Sequence, residues 1–433
     1  MKLSQYNYVR EQKDGVLLFN TNNKGLLRLD SEFAAKYREL ETGRIDPLDD
    51  FTGALFANGF IVDDDIDEFE ALLVKNLCLR YNESRAQVTI APTTGCNFAC
   101  PYCYEAGLAA LTMSGERAAA AARFVSEEFG KAKVLMVNWY GGEPLLCLDR
   151  IAQLTELIRG ALPPECKYEA SIVTNGYHLT ERAVKVLCDC GVREAQVTID
   201  GAERPHDLRR IPSNGEPTYE RILHNIKSAV DDIGITIRVN VDADNSADLD
   251  GLLIDIDRMA LAGKVGIYLA MVDDALGDDG HSSTRYLDAK AFSTVESLFY
   301  RSAIELGFDV GLFRGSEPGI CSAIALGSAV IDPEGSLCKC WDEMGCSDKS
   351  YGTVDAPRFS SLNSSRWLRY VPGQEGKCHH CVYFPLCWGG CPREALEGRK
   401  DMCGPIKYNL DDKIDLLALQ SARSRETSAG ECP

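Results

Sequence analysis

The sequence of 433 residues is long enough for two or three domains at roughly 100 to 200 residues each. Hydrophobic residues make up 45% of the chain and charged residues 26%, which is typical of folded proteins and excludes bulk disorder. The 65 acidic and 46 basic side chains give a formal charge of -19, which repels nucleic-acid phosphates and anionic lipids. We therefore expect no nucleic-acid partner.

The cysteines are the most informative part of the composition. No run of about 18 apolar residues could span a bilayer, and residues 1–20 lack the apolar core of a signal peptide. We therefore expect a cytoplasmic protein without a membrane partner. In that reducing compartment, 18 cysteines indicate metal binding or redox chemistry rather than disulfides.

The first 85 residues predict a small α+β domain. Two apolar runs, Val16–Phe19 and Leu26–Leu29, are separated by the turn-rich residues 20–25 and predict a β-hairpin. A strand-like run, Gly59–Val62, comes later, with helical segments around it. Two interpretations remain open for this segment. It is either a cap on the next domain or a peptide-docking module whose exposed strand edge accepts another strand.

Residues 86–310 predict a domain of repeated βα units. Six strand-like runs alternate with helical segments whose apolar residues recur at helical spacing. The runs are Val88–Ile90, Val134–Asn138, Ala170–Val173, Val197–Ile199, Ile235–Val241 and Val265–Met271. Such repeats predict a parallel sheet covered by helices, either open or closed into a full or partial barrel. Functional sites are then expected at the C-terminal ends of the strands.

Three cysteines follow the first of these strands directly. Cys96, Cys100 and Cys103 have the spacing CxxxCxxC and lie on the loop at the strand's C-terminal end. Three thiolates on a 4Fe-4S cluster leave one iron without a protein ligand, and an open position is typical of catalytic metal sites. A zinc site that takes its fourth ligand from elsewhere is the alternative.

This motif resembles the signature of the radical S-adenosylmethionine (SAM) superfamily, with an aromatic residue, Tyr102, before the third cysteine. The resemblance implies an α/β fold with a partial (β/α)6 barrel. It also implies a 4Fe-4S cluster held by the three cysteines, with SAM bound to it.

Three further motifs extend the resemblance through the barrel. Glu143, in Gly-Gly-Glu-Pro, resembles the family residue that holds the methionine ammonium of SAM. Thr198 and Arg210 resemble residues that contact the ribose or carboxylate end, and an arginine fork fits a carboxylate. The residues that the resemblance implies for SAM binding are Tyr102, Gly141, Gly142, Glu143, Asn175, Thr198 and Arg210.

A second group of cysteines lies in the C-terminal region. Its members are Cys321, Cys340, Cys378, Cys381, Cys387, Cys391 and Cys403. Taken alone, the four cysteines of residues 378–391 are compatible with a zinc knuckle. The full series resembles the SPASM extension of peptide-modifying radical SAM enzymes, which holds two auxiliary 4Fe-4S clusters.

The resemblance also implies how these cysteines divide between the two clusters. Cys321, Cys340 and Cys391 would ligate the first, and Cys378, Cys381, Cys387 and Cys403 the second. The fourth position of the first cluster would be filled by Cys338, Cys346 or another cysteine, or left open for a substrate thiolate. Iron binds thiolate as a soft ligand, so an open position favours thioether formation.

Four segments are therefore predicted along the chain. They are an N-terminal α+β domain at 1–85, a radical SAM partial barrel at 86–310, a SPASM domain at 311–405, and a C-terminal helix and tail at 406–433. The first segment would be a peptide-recognition module of the RRE type if the docking interpretation holds.

The favoured hypothesis is an oxidoreductase that matures ribosomally synthesised peptides, similar to the sactipeptide and ranthipeptide thioether synthases. It would bind a precursor peptide with a leader sequence and take electrons from a flavodoxin or ferredoxin. The 5'-deoxyadenosyl radical would abstract a hydrogen atom from the peptide, and a cysteine thioether would form. The sequence assigns no catalytic residue.

Two other functions remain open. An anaerobic sulfatase-maturating enzyme, which forms formylglycine, would share the SAM core and the SPASM domain. Against it, Tyr140 stands where those enzymes typically carry glutamine, and Asp342 lies one place later than their aspartate base. In addition, the chain of those enzymes typically starts close to the cysteine motif, whereas 95 residues precede Cys96 in this sequence. The second alternative is a non-catalytic, zinc-dependent scaffold that binds a peptide.

Overall fold

The computed structural model describes residues 1–43, 45, 49–272, 285–313, 321–374, 376–399 and 402–430. The chain divides into two compact units. The first comprises Met1–Arg80, Leu312–Cys321 and Tyr370–Ala418, and the second comprises Tyr81–Gly311, Ser322–Arg369 and Leu419–Pro433. None of the described helices combines the length and the apolar character that a membrane crossing requires.

The first unit begins with a small antiparallel sheet and three helices. Its elements are β1 (Lys2–Leu3), β2 (Asn7–Gln12), β3 (Gly15–Asn20), β4 (Leu26–Asp30), α1 (Ser31–Thr42), α2 (Asp50–Ala57), β5 (Ile61–Val62) and α3 (Glu68–Arg80). Strands β3 and β4 form the predicted hairpin, with Leu18 opposite Leu27. Strand β2 completes the sheet on the other side of β3, although its largely polar sequence gave no strand signal.

The second unit contains the six predicted βα units. Its elements up to residue 305 are β6 (Arg85–Thr93), α4 (Gly115–Phe129), β7 (Val134–Gly141), α5 (Leu148–Ala161), β8 (Lys167–Thr174), α6 (Glu181–Asp189), β9 (Val192–Thr198), α7 (Glu203–Arg209), α8 (Tyr219–Ala229), β10 (Gly234–Val241), α9 (Asp250–Arg258), β11 (Val265–Met271) and α10 (Ala289–Glu305). Strands β6 to β11 pair in chain order and are all parallel. The predicted α/β fold is confirmed. Within the described residues β11 pairs only with β10, as expected of a partial barrel.

The residues between 321 and 369 extend this sheet. They contribute β12 (Ser328–Ile331), β13 (Leu337–Cys338), β14 (Gly352–Thr353), β15 (Ala356–Pro357) and α11 (Leu362–Leu368). Strand β12 runs parallel to β6, and β13 runs antiparallel to β12, so the sheet has eight strands. The sequence gave no signal for this extension.

Alternating burial separates the two faces of the barrel sheet. On β10, Ile235, Ile237 and Val239 are at most 3% exposed and belong to the apolar face. Arg238 and Asn240 occupy the alternate positions and therefore lie on the opposite face. We call this the inner face. It is polar on neighbouring strands too, where Tyr268 on β11 donates a hydrogen bond to Gln196 on β9 at 2.7 Å.

The last helices of the chain complete the first unit. They are α12 (Phe384–Cys387), α13 (Pro392–Leu396) and the part of α14 (Ile406–Gly430) up to Ala418; α14 is kinked at Asn409. Phe69 and Leu72 of α3 pack with Phe384 and Trp388, and Cys378 and Cys381 contact this cluster. The N-terminal segment and the cysteine-rich segment therefore share a hydrophobic core.

Candidate active site and cysteine clusters

The loop that carries Cys96, Cys100 and Cys103 begins where β6 ends. Thr93 fixes its start, because its hydroxyl accepts a hydrogen bond from Gly95 N at 2.9 Å and donates one to Leu111 O at 2.7 Å. The Ala99 amide donates to Ile211 O at 2.7 Å, which ties the loop to the segment after α7. The three cysteines are therefore held at the C-terminal end of a parallel strand, as the sequence predicted.

The thiols of this loop have the chemistry that a 4Fe-4S cluster needs. Arg210 Nη1 donates to Cys100 Sγ at 3.4 Å, and Phe98 N donates to Cys96 Sγ at the same distance. Burial raises the pKa of Cys96 to about 12 and that of Cys103 to about 11, so both keep their protons at neutral pH until a metal displaces them. Three soft thiolate donors fit iron, so the donor set is compatible with the implied cluster.

The described residues contain no group of three His, Cys, Asp or Glu side chains arranged around the position of a single metal ion. A cubane cluster takes its thiolates on different iron atoms, so its protein ligands stand farther apart than the ligands of one ion.

Gly141 and Gly142 lie directly against the cysteine loop. A Cβ atom at Gly141 would lie 2.3 Å from Thr93 O, and one at Gly142 would lie 2.3 Å from Gly95 O. Gly142 N donates to Thr93 O at 3.1 Å, and Glu143 N donates to Gly95 O at 2.9 Å. The two glycines therefore permit the close approach of two backbones, and any larger residue would displace the loop.

Glu143 is a fully buried carboxylate at the end of β7. It accepts hydrogen bonds from Asn175 N and Thr174 Oγ1, both at 2.7 Å, and from Leu145 N at 3.0 Å. Burial raises the pKa of Glu143, and these three hydrogen bonds oppose the shift. A buried carboxylate favours a cationic partner, so the residue fits the ammonium-binding role that the sequence implied.

Tyr102 and Arg210 belong to one buried polar network. Arg210 Nη1 donates to Tyr102 Oη at 3.2 Å, and Tyr102 Oη donates to Asp200. Arg209, next to Arg210, pairs with Asp242 at 2.5 Å. The sequence indicated Tyr102 and Arg210 but not Asp200, although this aspartate stands in the Thr-Ile-Asp-Gly motif that supplied Thr198.

Thr198 ends β9 and has Arg238 of β10 as its partner in the strand register. Burial favours the neutral form of Arg238, but surrounding tyrosines outweigh this effect and raise its pKa above the usual value. Arg238 was missed by the sequence analysis. A signal was present, because it is the one charged residue of the apolar run Ile235–Val241.

A group of aromatic and acidic side chains adjoins the cysteine loop. Tyr104 Oη donates to Tyr140 Oη at 2.7 Å, and the Tyr140 ring stacks on Trp341 with 5.7 Å between centroids. Burial raises the pKa of Glu105 to about 7, and Asp342 contributes to the rise. The residues that distinguish this sequence from the sulfatase-maturating pattern, Tyr140 and Asp342, therefore lie near each other.

The predicted ligands of the second auxiliary cluster lie close together in the first unit. Burial raises the pKa of Cys387 to about 11, and the thiols of Cys378, Cys381 and Cys403 act electrostatically on it. Lys407 Nζ donates to Cys403 Sγ at 3.7 Å, which supplies a cation to this group. The donor chemistry fits an iron–sulfur cluster.

The predicted ligands of the first auxiliary cluster are divided between the units. Cys321 and Cys391 both act electrostatically on Tyr370 in the first unit, whereas Cys340 belongs to the second. Cys338 is 4% exposed and packs with Ala91, Val330 and Met344. Cys432, which the sequence gave no role, lies outside the described residues.

Comparison with protein families identifies the barrel. Residues 90–252 match the model of the Radical SAM superfamily. The chain therefore contains a radical SAM domain. The match begins within β6 and extends into α9, so it includes the cysteine loop and the SAM-contact motifs. A radical SAM domain implies a 4Fe-4S cluster and SAM, and it supports the prediction that the chain is an enzyme.

Curated relatives of this radical SAM protein have several different activities. A probable GTP 3',8-cyclase of Methanosarcina mazei is 31% identical over 165 residues, which is 37% of this chain and 46% of that protein. A cysteine-type anaerobic sulfatase-maturating enzyme of Clostridium novyi is 22% identical over 275 residues, 58% of this chain and 72% of that enzyme. An AdoMet-dependent heme synthase of Oleidesulfovibrio alaskensis is 25% identical over 334 residues, 69% of this chain and 80% of that enzyme. The alignments span only 42–62% of the first three curated relatives.

Solved structures resemble the chain over a greater length. The enzyme anSMEcpe, determined with AdoMet and the Kp18Cys peptide, gives a TM-score of 0.62 at 19% identity and covers 77% of this chain and 99% of its own. Streptococcus suis SuiB, determined with its precursor peptide SuiA, gives 0.53 at 13% identity and covers 93% of this chain and 98% of its own. At these identities the likeness establishes the fold.

Proposed function

We propose that the protein is a radical SAM maturase of a ribosomally synthesised peptide and that it forms a cysteine thioether crosslink. One observation carries the proposal. Cys378 and Cys381, predicted ligands of an auxiliary cluster, contact a hydrophobic core that includes α3 of the N-terminal segment. The sheet of that segment has an edge strand, β4, whose one partner among the described residues is β3, and the same chain carries the cysteine loop proposed to bind SAM. A peptide-binding surface, a SAM site and further redox centres are the parts that such an enzyme requires.

Ten cysteines are proposed to hold three 4Fe-4S clusters. Cys96, Cys100 and Cys103 would hold the SAM-binding cluster, and the seven C-terminal cysteines named above would hold the two auxiliary clusters. Bound there, the clusters would supply the electron that cleaves SAM and accept the electron released when the thioether forms. A flavodoxin or ferredoxin is the proposed electron donor.

The remaining site residues would bind and orient SAM. The buried carboxylate of Glu143 would hold the SAM ammonium, with Thr174 and the Asn175 amide fixing the carboxylate. Arg210 would bind the SAM carboxylate from a position where it also touches Cys100. Thr198, at the end of β9, would contact the ribose. Burial of these residues excludes water that would compete for the charged groups of SAM.

Overall, the proposed reaction removes two hydrogens from the peptide. One hydrogen atom leaves a peptide C–H bond and ends in 5'-deoxyadenosine, while the cysteine S–H bond gives its proton to solvent. The new carbon–sulfur bond then releases one electron, which leaves through the redox centres. The peptide would be oxidised by two electrons overall: one would leave with the hydrogen atom taken by the 5'-deoxyadenosyl radical, and the other would pass to the redox centres.

The leader of the precursor peptide is proposed to pair with the edge of β4. In the described part of the first unit β4 pairs only with β3, so one side of its backbone is available to another strand. The other edge strand, β2, carries Arg10, which contacts Asp415 at 2.6 Å and the Asp411 backbone oxygen at 3.1 Å. SuiB, whose fold likeness includes 93% of this chain, was determined with a precursor peptide, which supports the assignment.

Co-expression with a short cysteine-bearing open reading frame from the same gene neighbourhood tests the reaction. The product should have lost two hydrogens for each crosslink, and its cysteine should resist alkylation. A Cys100→Ala enzyme is the matched control and should leave the peptide unchanged. A product with an alkylatable cysteine and a new carbon–carbon link would refute thioether formation but not peptide radical chemistry.

Hydrogen exchange tests the leader site in the intact protein. Addition of the leader peptide should protect amides of residues 26–30 and leave β1, which pairs with β5, unchanged. Protection confined to β2, or no protection in the first unit, would contradict the assignment to β4.

Formylglycine formation is a second candidate because of the position of Asp342. Its carboxylate lies 3.7 Å from Cys340 Sγ and acts electrostatically on Glu105. Asp342 therefore lies in this site, although it stands one position later in the sequence than the aspartate base of the sulfatase-maturating enzymes. Incubation with the Kp18Cys peptide distinguishes the two functions. Conversion of its cysteine to an aldehyde, with loss of sulfur, would favour the sulfatase-maturating activity. An unmodified peptide would favour the thioether proposal.

A further inference from the structure

Arg238 places a cation on the inner face of the barrel without a carboxylate partner. Its Nε donates to Asn240 Oδ1 at 2.8 Å, and no described carboxylate forms an ion pair with it. The side chain is part-buried, and it lies on β10, which pairs with a strand on each side and whose apolar face is covered. A cation at such a position is destabilising unless an anion pairs with it, so it is suited to an anionic ligand.

The neighbours of Arg238 form an aromatic and hydroxylic environment. The phenol groups that act on it electrostatically are those of Tyr268, Tyr140, Tyr102 and Tyr104. Tyr102, Tyr104 and Tyr268 already donate to Asp200, Tyr140 and Gln196, so the Tyr140 hydroxyl is the one whose proton is available to an anion, and the rings limit access of water. A planar anion held by the guanidinium fork would therefore find a further donor beside it.

Arg238 also lies next to the SAM site. In the strand register it stands between Thr198 on β9 and Tyr268 on β11, and adjacent strands are about 4.8 Å apart. Asn240, which accepts the hydrogen bond from Arg238, donates to Tyr102 Oη at 3.3 Å. One residue thus connects Arg238 to the cysteine loop, so a ligand on Arg238 would lie beside bound SAM.

The two other arginines of the site already have anionic or sulfur partners. Arg209 pairs with Asp242 at 2.5 Å and with Asp200 at 3.7 Å. Arg210 contacts Cys100 and Tyr102. Because the proposed function assigns Arg210 to the SAM carboxylate, Arg238 is the one of these three arginines whose charge remains for the peptide.

We infer that Arg238 binds a carboxylate of the peptide substrate, so that an acidic residue or the C-terminal residue of the peptide is presented to SAM. The inference rests on the proposed function and specifies the substrate class of the same site. The guanidinium would fix the carboxylate through paired hydrogen bonds, and the peptide C–H bond next to it would be positioned for hydrogen abstraction.

Three small probes test this in the reconstituted holoenzyme. N-acetylglutamate N-methylamide carries a side-chain carboxylate, N-acetylglutamine carries a terminal carboxylate, and N-acetylglutamine N-methylamide carries neither. Each is titrated while reductive SAM cleavage is followed as 5'-deoxyadenosine. We expect one of the two carboxylates to alter the rate at roughly tenfold lower concentration than the neutral amide. The one that does so identifies the source of the carboxylate.

Substitutions assign the effect to Arg238. Arg238→Met should abolish the preference for a carboxylate, and Arg238→Lys should keep part of it because it keeps the charge. Arg182→Met, which removes an exposed charge on α6, is the matched control and should behave as wild type. Arg238→Gln, which can still bond to Asn240, replaces Arg238→Met if the methionine variant loses iron.

Three results would overturn the inference. They are equal responses to all three probes in the wild type, a preference that survives Arg238→Met or Arg238→Gln, and loss of SAM cleavage in these variants without any probe. The last result would assign Arg238 to SAM itself. Failure of the maturase proposal is separately visible, because it would leave the carboxylate preference intact while no precursor peptide is crosslinked.

Discussion

Arg210 Nη1 lies 3.4 Å from Cys100 Sγ and donates a hydrogen bond to it. The residue proposed to hold the carboxylate of SAM therefore also contacts a proposed cluster ligand. Desolvation opposes the charged form of Arg210, but Cys100, Tyr102 and Asp200 outweigh it and raise its pKa well above the usual value. A permanent positive charge therefore stands beside this sulfur.

The contact predicts a double effect of Arg210→Met. A positive charge stabilises the reduced cluster, so its removal should lower the midpoint potential, by about 60 mV if the equilibrium changes tenfold. The affinity for SAM should fall at least tenfold through the lost carboxylate contact. Arg210→Lys keeps the charge and should shift the potential less. A redox titration followed by electron paramagnetic resonance measures the first effect, and an unchanged potential in Arg210→Met would contradict it.

Removal of the three loop cysteines should abolish SAM cleavage and leave the auxiliary clusters in place. With three clusters of four irons, wild-type protein should approach twelve irons per chain, and the Cys96→Ala, Cys100→Ala, Cys103→Ala variant should lose about a third of them. Iron analysis and 5'-deoxyadenosine formation measure the two outcomes. Retained cleavage, or full iron content, would remove the basis for assigning this loop, and circular dichroism controls for folding.

Glu105→Gln should change how stability depends on pH. Burial raises the Glu105 pKa from 4.5 to about 7, so the folded protein retains a proton that the unfolded chain releases between these values. Stability therefore falls as pH rises through this range, by up to about 3 kcal/mol for this group. The neutral amide of the variant should remove that fall. Thermal melts from pH 5 to 8 check this, with the exposed Glu83→Gln as control, and parallel wild-type and Glu105→Gln profiles would refute it.

Phe69→Ala should destabilise the first unit and weaken iron binding there. Phe69 is 5% exposed, and its ring lies 4.8 Å from Phe384 and 4.7 Å from His379 between centroids. Loss of a buried phenylalanine costs about 3 kcal/mol or more. Because Cys378 and Cys381 contact the same cluster, four irons should become labile. Phe33→Ala, at 38% exposure, should have little effect, and equal iron retention in both variants would argue against a shared core.

Cys338→Ala should retain iron content and turnover. Burial raises the pKa of this thiol well above its usual value, and Val330 and Met344 pack around it. Apolar packing of this kind is typical of a structural cysteine, so the substitution should leave the clusters in place and cost only about 1 kcal/mol of stability. Iron analysis together with an auxiliary-cluster spectrum measures the outcome. Loss of the first auxiliary signal would instead identify Cys338 as its fourth ligand.

The shared core also changes how the N-terminal segment should be studied. Truncation of residues 1–85 would remove Phe69 and Leu72, which pack against the cysteine-rich segment. A truncated protein would lose peptide binding and iron for one structural reason, and the two effects could not be separated. Hydrogen exchange in the full chain avoids this difficulty.

The sequence alone determined the six parallel strands, the N-terminal hairpin and the positions of the cysteine motifs. Each of these depends on local patterns, namely the periodicity of apolar residues, turn composition and cysteine spacing. The family resemblance then implied which residues meet at the SAM site. Contacts among Cys100, Tyr102 and Arg210 agree with that implication, since one network joins them.

Only the tertiary structure decided the pairing of β12 with β6, the shared core of α3 and α12, and the position of Arg238. Each joins residues far apart in the chain or depends on which face of a strand meets the core. An isolated arginine in an apolar strand looks the same in sequence whether it pairs with a carboxylate or stands alone. The difference lies in the neighbouring strands, whose register and side-chain direction are fixed by packing of the whole sheet.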